Sequence, residues 1–497
     1  MGQIYKSFEN FSNFFLQNYY LLKKIVTFVM LKNSCLRCIV KHFFLPLRLL
    51  KRNTAMTTLK NITKFNRQDF RLFLHYLIPS LTGMILISAY TFADGFVLGQ
   101  KLGEDALGAL GIVTPALMFA FSIGSMFGLG GGSIYSIYLG ESDTQSANKI
   151  FSTSFVCALV NALIFMILGL IFVDEIGRFL GGDSKTMPYV REYLIYMFIG
   201  YPFVELNMVM SCFVKNDQHP NFAMITTTVG AGLNVIVDFV FVFGFDMGMM
   251  GAALATTICQ AIAFLMNFIY AYAKKLNIRF YISNVAFSQV WRIIKNGFSA
   301  FVLEFSSGIV TFVFITIALK YYNTLGSSIY TVIVNWSIIA NAMVMGVTNA
   351  AQPLISISYG QKAYKRMSNF FRYSLLCATI FGLFFIIIGY IFTSEWVVVF
   401  NDSKDLVRET VPALQLYMPT FLIIGVTISC SIYFQSIEKP KQSTIISLLH
   451  GAILPIFFAV TMSLCFGRNG LWLSAPVSEI MVMIVAIYLL KKKHNFI

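Results

Sequence analysis

Five acidic residues lie inside long apolar stretches of the sequence, where an ionisable side chain is costly and usually serves a function. The other Asp and Glu residues lie between those stretches or at their ends. No Lys or Arg lies deep enough in these stretches to pair with the five, so we expect binding roles rather than structural salt bridges. The five are Asp94, Glu205, Asp238, Glu304 and Glu479.

Asp238 is the most informative of them because Asn234 precedes it by one helical turn, in GAGLNVIVDFVFVFGFD. Residues four apart share a helix face, so the amide and the carboxylate point the same way. Gly230 and Gly232 allow another helix to approach closely. The pair suits a small cation, which needs several oxygens, or a proton, which needs a carboxylate that can be neutralised in a low dielectric. The alternative is structural, with Asn and Asp satisfying each other at a helix contact.

The remaining candidates are less specific. Asp94, in ISAYTFADGFVLGQ, is either an interfacial residue or a functional one, and Pro79, earlier in the same stretch, removes a backbone donor and allows a bend. Glu304 is a candidate for binding a substrate or a second cation. Glu479, in LSAPVSEIMVMI, has the same two candidate roles or satisfies a helix break, and Glu205 has no clear assignment beyond the same candidacy.

Transmembrane helices must position these residues. Charged residues make up 12% of the chain and apolar residues 57%, with a mean hydropathy of +0.72. A soluble domain is about a quarter charged and just under half apolar. So few charges cannot cover the surfaces of several soluble domains, which a soluble chain of 497 residues would contain.

The net charge of +15 is a topology signal rather than a sign of nucleic-acid binding. Lys and Arg residues are concentrated before the first apolar stretch and in alternate loops, at 274–295, 362–372, 439–441 and 491–493. By the positive-inside rule these loops and both termini are cytoplasmic. We therefore expect a multi-pass plasma-membrane protein with an even number of spans and no nucleic-acid partner.

Apolar stretches of the roughly 20 residues needed to cross the hydrocarbon core predict twelve spans. They lie at 72–98, 108–139, 150–173, 189–213, 221–244, 251–273, 291–319, 328–358, 370–392, 411–434, 442–466 and 470–490.

The chain also repeats itself. A shift of 220 positions brings LGESDTQSANKIFSTS onto YGQKAYKRMSNFFRYS, so that Gly140 meets Gly360, and it brings Pro220 onto Pro440. Six spans per repeat is an even number, so both halves share one orientation. The predicted fold is an all-α polytopic membrane protein, with two six-helix repeats related by a pseudo-twofold axis along the membrane normal and a cavity between them.

This organisation predicts an N-terminal extension at 1–60, an N-half at 61–273, a cytoplasmic basic linker at 274–290, a C-half at 291–490 and a basic tail at 491–497. The extension is basic and aromatic, and its apolar runs are too short to span. Two interpretations stay open: an amphipathic helix on the membrane surface, or a misassigned start with Met56 as the first translated residue.

The eight Cys and five His residues are scattered. Cys35 and Cys38 form a CxxC without a second pair, which is a weak metal signal. We expect no metal beyond Na⁺ and no cofactor. Because no nucleophile–base constellation is visible, we also expect no enzymatic activity.

Several segments together resemble the multidrug and toxin extrusion (MATE) transporters, in their prokaryotic type with a cation site in the N-half. The resemblance covers about residues 65–490 and is carried by Pro79 with Asp94, and by GLGGGSIYSIYLGES, GLNVIVD and GMMGAALATT in order. It implies a bend of the first span at Pro79. It also implies a cation site formed by Asp94, Asn234, Asp238 and Thr256, with Thr257 adjacent to the last of these.

The sequence departs from some members of that family, which carry a second cation site with acids in the seventh and tenth spans. Glu304 matches the first acid, but the tenth span, LQLYMPTFLIIGVTISCSIYF, contains none. The repeat shift also places Val313 and Phe458 opposite Asp94 and Asp238. We therefore expect a complete coupling site in the N-half alone.

The resemblance implies a monomeric secondary active antiporter. It would lie in the lipid bilayer and export lipophilic, mostly cationic small molecules by alternating access. Export would be driven by entry of Na⁺ or H⁺, since an oxygen cluster with two carboxylates suits both ions. The alternative is a lipid-linked oligosaccharide flippase of similar architecture. Such a flippase needs Arg and Lys in its cavity to hold pyrophosphate, and no basic residue is visible in the middle of any span.

Overall fold

The computed structural model describes residues 66–323, 325–400 and 403–494. The predicted extension at 1–60 and the Cys35–Cys38 motif lie outside the described residues. Leu72–Lys493 form one compact unit. Its regular structure, as far as it is described, is helical.

The N-half contains the first to sixth spans, each a single long helix. A short helix, Val173–Phe179, follows the third. The spans are Arg67–Leu102, Glu104–Gly140, Thr144–Ile171, Met187–Asn216, Pro220–Phe239 continued by a π-helical turn at Val240–Gly244, and Gly248–Ala273.

The C-half repeats this order after a linker with a 3₁₀ turn at Ile282–Asn284. A short helix, Thr393–Phe400, follows its third span. The helices are Phe287–Tyr322, Leu325–Gly360, Tyr364–Ile391, Lys404–Tyr417 with Thr420–Ser436, Pro440–Leu448 continued by a π-helical turn at Leu449–Ile453, and Leu454–His494.

Two interruptions decide how these C-half helices cross the membrane. Lys404–Tyr417 and Thr420–Ser436 meet at 41° and form one bent tenth span. The last apolar stretch, Pro440–Lys491, has 52 residues but is interrupted at Gly467, where φ is 61° and ψ is −144°. A straight helix of that length would be about 78 Å long, more than twice the hydrocarbon core. The chain therefore turns at Gly467 between an eleventh and a twelfth span, and the prediction of twelve spans is confirmed.

Several helices begin earlier than predicted from hydropathy. The third begins at Thr144 rather than 150, and the ninth at Tyr364 rather than 370. Their first turns, TQSA and YKRM, are polar and therefore lie outside the apolar stretches that hydropathy detects. Asp143 caps the third span by accepting a hydrogen bond from the Ser146 backbone N–H at 2.9 Å, and the hydrogen bonds from Ser146 lower the pKa of the Asp143 carboxyl.

The contact between Gly140 and Gly360 shows the twofold relation of the halves directly. A methyl group added to either glycine would come within 3.1 Å of the other's Cα. The same added group at Gly140 would meet the Ile357 carbonyl oxygen, and at Gly360 the Ile137 carbonyl oxygen. Residues 137 and 357 are again 220 positions apart. Equivalent residues therefore face each other across the axis, which passes between the two glycines.

The halves also pack tightly near the ends of the spans that face the basic loops, which we term the basic face. Gly130 of the second span and Gly297 of the seventh touch backbone to backbone, since a methyl group at Gly130 would lie 2.6 Å from the Gly297 Cα. Asn296 Nδ2 donates to the Gly130 carbonyl at 3.1 Å and to Ser133 Oγ at 2.6 Å. These contacts leave no room for a solute.

An ion pair closes the same face closer to its surface. The Arg292 guanidinium binds both carboxylate oxygens of Glu438 within the C-half, and its Nη1 donates to the Tyr138 hydroxyl of the N-half at 2.7 Å. Tyr138 also lies under the guanidinium, 5.3 Å from ring centroid to Cζ. We call Gly130, Gly297, Tyr138, Arg292 and Glu438 the basic-face closure.

Candidate cation site and central cavity

Residues from three N-half helices form a buried polar cluster. Asn234 and Asp238 are 2% and 1% exposed and lie on the buried face of the fifth span, one turn apart. The first span contributes Asp94 and the sixth contributes Thr256. The sequence predicts this combination through the family resemblance, and the structure brings all four side chains together.

The cluster presents oxygens that lack hydrogen-bond partners. Asn234 Nδ2 donates to Thr256 Oγ1 at 3.3 Å, which turns the amide oxygen away from that contact. Four buried oxygens are unpartnered: Asp94 Oδ1, Asn234 Oδ1 and both carboxylate oxygens of Asp238. The two carboxyl groups lie close enough to interact directly. Buried polar atoms are almost always satisfied, so these four indicate a binding site.

The two adjacent threonines of the sixth span face different neighbours. Thr256 accepts from Asn234, whereas Thr257 lies against Gly200 of the fourth span and its hydroxyl reaches the Tyr196 carbonyl at 3.5 Å. Successive residues of a helix point about 100° apart, which accounts for the difference. The position implied by the resemblance is therefore the one that faces the cluster.

Tyr193 of the fourth span completes the surroundings. It is buried, and its phenol lies within electrostatic range of both Asp94 and Asp238. Cys259 of the sixth span also lies within electrostatic range of the same two carboxyl groups. Sequence reasoning missed Tyr193, because a single tyrosine in an aromatic-rich span carries no local signal.

These groups fit a small hard cation or a proton. Carboxylate, amide and hydroxyl oxygens are the donors that hard cations prefer. Two carboxylates held together in a low dielectric also favour sharing one proton. Across the described residues no three His, Cys, Asp or Glu side chains are grouped closely enough to hold a metal through those residue types. The donor set thus favours Na⁺ or H⁺ over a transition metal.

A cavity of about 430 Å³ lies between the two halves. Its apolar lining includes four methionines and Phe121, and Tyr90 is its second aromatic residue. Its uncharged polar lining includes hydroxyls and the amides of Asn207, Gln260 and Asn349. Methionine is flexible and polarisable, so such walls adapt to ligands of different shapes. The methionines are Met84, Met118, Met208 and Met345.

The cation cluster lies one helical turn behind this cavity on each of its three helices. Tyr90 lines the cavity and precedes Asp94 by four residues. Gly230 lines it and precedes Asn234 by four, and Gln260 lines it and follows Thr256 by four. Because residues four apart share a helix face, a shift of any of these helices moves the cavity wall and the cluster together.

Two charged side chains of opposite sign line the cavity, Glu304 from the seventh span and Lys215 from the fourth. The sequence shows no basic residue in the middle of any predicted span, and Lys215 lies beyond the predicted fourth span. The fourth helix continues to Asn216, past the predicted end at 213, so the lysine belongs to its last turn. Lys215 could not be recognised because its position relative to the cavity depends on the packing of both halves.

The other acids occupy separate places. Glu205 is buried on the fourth span and accepts two hydrogen bonds from Asn161 Nδ2, at 2.9 and 3.2 Å. Glu479 lies in the C-half beside His450 and Thr427. Neither joins the cation cluster. Pro79 is buried inside the first helix, where its missing N–H leaves the carbonyl four residues earlier without its helical donor.

Thr256→Val is expected to raise the half-saturating concentration of the coupling ion about tenfold. The substitution removes one oxygen of the cluster and leaves Asn234 Nδ2 buried without its acceptor, at a cost of about 1–3 kcal/mol. Ion-dependent export of a fluorescent dye from membrane vesicles measures this concentration. Thr257→Val makes the same change of shape one residue away and should leave the half-saturating ion concentration within twofold of the wild type. Equal effects of both substitutions would contradict the assignment of Thr256.

The MatE family model matches this chain twice, over residues 79–240 and 299–461. The two matches begin 220 positions apart, the shift found within the sequence, and together they cover more than half of the chain. The chain belongs to the MatE family. The cation cluster and the basic-face closure lie within or beside the matched stretches.

MatE proteins with curated names include two similar relatives. The chain is 26% identical over 433 residues to the "Multidrug export protein MepA" of Staphylococcus saprophyticus, covering 85% of this chain and 94% of that protein. It is 25% identical over 431 residues to the protein of the same name from Staphylococcus aureus strain MSSA476, with the same coverage.

Solved structures show the same fold. A MOP-superfamily transporter from Pyrococcus furiosus matches with a TM-score of 0.81 and 19% identity, covering 86% of this chain and 96% of that one. A multidrug resistance MATE family transporter described as outward-facing matches with a TM-score of 0.81 and 19% identity, covering 85% and 95%. The prediction of a MATE-type fold with two six-helix repeats is confirmed.

Proposed function

We propose that this chain is a secondary active antiporter that exports lipophilic, mostly cationic small molecules in exchange for entering Na⁺ or H⁺. One observation carries the proposal: the oxygen cluster of Asp94, Asn234, Asp238 and Thr256 lies one turn behind the wall of a cavity between two repeats. Membership of a transporter family and relatives named multidrug export proteins support it. A catalytic role is not part of the proposal.

The cavity determines the proposed substrate class. Its methionine and aromatic walls suit lipophilic molecules of varied shape, and Glu304 provides one negative charge for a cationic group. Lys215 provides one positive charge at the basic-face end of the fourth span. A substrate that carries an acidic group beside its cation is therefore accepted as well.

Coupling follows from the position of the cluster. Without a bound cation or proton, the two carboxylates repel each other in the low dielectric. Binding of a cation or a proton removes this repulsion and draws the first and fifth spans together. Both helices also line the cavity, so ion binding changes its walls. The ion and the substrate each favour one arrangement of the same helices, which is the condition for linked binding.

We assign the basic face to the cytoplasm of a plasma-membrane protein by the positive-inside rule, with both termini on that side, and we expect a monomer. Substrate then enters from the cytoplasm or inner leaflet when the basic-face closure separates. It leaves from the opposite face when the closure forms again.

The flippase alternative gains no support. A pyrophosphate-bearing lipid requires several Arg or Lys side chains, whereas Lys215 is the single basic residue lining the described cavity. The relatives reported above are named exporters rather than flippases.

Everted membrane vesicles test the function. A gradient of Na⁺ or of H⁺ is imposed across the vesicle membrane, one ion at a time, and uptake of a fluorescent lipophilic cation is recorded. We expect uptake only when one of the two gradients is present, and its collapse by the matching ionophore. Dye movement that ignores both gradients would contradict ion-coupled export.

A further inference from the structure

The C-half contains a buried acid–base pair that has no counterpart at the corresponding positions of the N-half. His450 Nδ1 and Glu479 Oε1 are 2.6 Å apart, and the Thr427 hydroxyl donates to the other carboxylate oxygen at 2.9 Å. The two titratable side chains are only 12% and 4% exposed. They come from the eleventh and twelfth spans, the counterparts of the fifth and sixth that hold Asn234 and Thr256.

The repeat shows that the pair is specific to this half. A shift of 220 places His450 opposite Gly230 and Glu479 opposite Cys259, and because glycine has no side chain these two positions form no acid–base pair. The positions of Asn234 and Asp238 are in turn taken by Leu454 and Phe458. The two halves thus hold polar clusters on corresponding helices, built from different chemistry.

The pair has the same relation to the cavity as the N-half cluster. Ser447 lines the cavity one turn before His450, and Ser431 lines it one turn after Thr427. The local backbone is also irregular. His450 lies in the π-helical turn Leu449–Ile453, and Pro455 just beyond it cannot donate to the Gly451 carbonyl. Such turns recur at functional sites because they break the regular hydrogen-bond ladder.

The surrounding groups do not neutralise this pair. The π-helical turn packs on the seventh span, where Ser306 lies under Gly451 and the nearby acid, Glu304, faces the cavity. Tyr417 of the tenth span is within electrostatic range of Glu479. Lys441, on the helix before the turn, is exposed at that helix's far end. One proton makes the pair formally neutral, and its loss leaves a buried negative charge, which is costly.

We propose that His450 and Glu479, oriented by Thr427, form a second proton-binding site whose occupancy is linked to substrate binding in the cavity. The site rests on the proposed export function. It makes the C-half sensitive to protons whichever ion binds at Asp94 and Asp238. Accordingly, export retains a pH dependence even when Na⁺ drives it.

Nitrogen NMR of the full chain, ¹⁵N-labelled at its five histidines in lipid nanodiscs, tests protonation directly. His450→Gln identifies the signal. In the wild type we expect the His450 ring to change from neutral to imidazolium between about pH 9 and 5. Glu479→Gln should shift that change to more acidic pH by about one unit or more, because the opposite charge is gone. A ring that stays in one state, or that titrates identically in Glu479→Gln, would overturn the proposal.

Linkage is tested by adding a lipophilic cationic dye to the same sample. Binding should shift the pH at which His450 changes state, and pH should shift dye affinity by the same factor. His450→Gln keeps a hydrogen-bonding group beside Glu479, so a purely structural pair would retain the wild-type pH profile of export. We expect that profile to flatten instead, and an unchanged profile would also overturn the proposal.

The two proposals fail in different ways. If the wild type moves no dye under either ion gradient, the export function is wrong, whereas the His450 signal still reports whether the pair titrates. If export is gradient-driven but the His450 signal does not respond to dye, only the second site is wrong. Thr461→Val, on the eleventh span but outside the pair, removes a hydroxyl that donates to the Phe457 carbonyl of its own helix and serves as the control for folding.

Discussion

Asp238→Asn is expected to reduce gradient-driven dye export about 100-fold or more. The substitution keeps the size of the side chain but removes one of the two carboxylates that face each other in the cation cluster. With the ion bound, the substitution removes one partner of a buried ion–carboxylate pair, which costs about 3–5 kcal/mol, and each 1.4 kcal/mol corresponds to a factor of ten in binding. Dye binding without a gradient should persist, since Asp238 does not line the cavity. Initial rates in everted vesicles at matched protein levels measure the effect.

Asp246→Asn is the matched control. Asp246 lies just past the fifth span, is 77% exposed and pairs with Lys101 at 2.9 Å. Exposed ion pairs contribute little to stability, so the export rate of the Asp246→Asn variant should stay within twofold of the wild type. Asp94→Asn should behave like Asp238→Asn. Wild-type export by Asp238→Asn under both gradients would show that coupling lies elsewhere.

Gly297→Leu is expected to abolish export by holding the basic face open. A methyl group at this position would overlap the carbonyl group of Met126 in the second span, so the helices must separate. Overpacking costs about 1–3 kcal/mol or more, and the separated arrangement avoids that cost. The population then shifts about 5–150-fold towards the state open to the basic face. If the second and seventh spans cannot approach each other, the basic face cannot close and the transporter cannot complete its cycle.

Cys212 reports this change. It lines the cavity and is buried. A membrane-impermeant thiol reagent applied to the basic face should label it faster in Gly297→Leu than in the wild type, as followed by mass spectrometry of its peptide. Gly308→Leu is the control on the same helix, because an added methyl group there meets nothing within 4 Å. Unchanged labelling of Cys212 in a folded Gly297→Leu protein would contradict the role of the closure.

The fold was predictable because a bilayer imposes simple rules. Apolar length, loop charge and the internal shift each report one property of the chain, and none depends on knowing which helices touch. The helix ends were less predictable, as Thr144 and Tyr364 show, since polar first turns extend these helices beyond their apolar part. The division at Gly467 was visible in the sequence, because the polar residues of the short segment FGRNG separate the predicted spans at 442–466 and 470–490.

The candidate site was predictable only in part. Asn234 and Asp238 are visible as a pair because they lie on one helix, but Asp94 and Thr256 are linked to them by family resemblance rather than by spacing. The pairing of His450 with Glu479 depends on how two spans pack, and the placement of Lys215 in the cavity depends on how the two halves pack. A single sequence does not record distances between residues of different spans. Comparing His450 with Gly230 through the repeat would have marked it as an asymmetric polar position.

The contact of Gly140 with Gly360 bears on the origin of the molecule. Because the two glycines are equivalent positions of the repeat, the same contact in an ancestor with a single half would have joined two identical copies through the same surface. Any substitution at that glycine would then have acted on both copies at once. After the halves were joined in one gene, each could change alone, and the carboxylates of one half and the imidazole of the other are what such freedom permits. A transporter built this way descends from a symmetric dimer whose two sites were once identical.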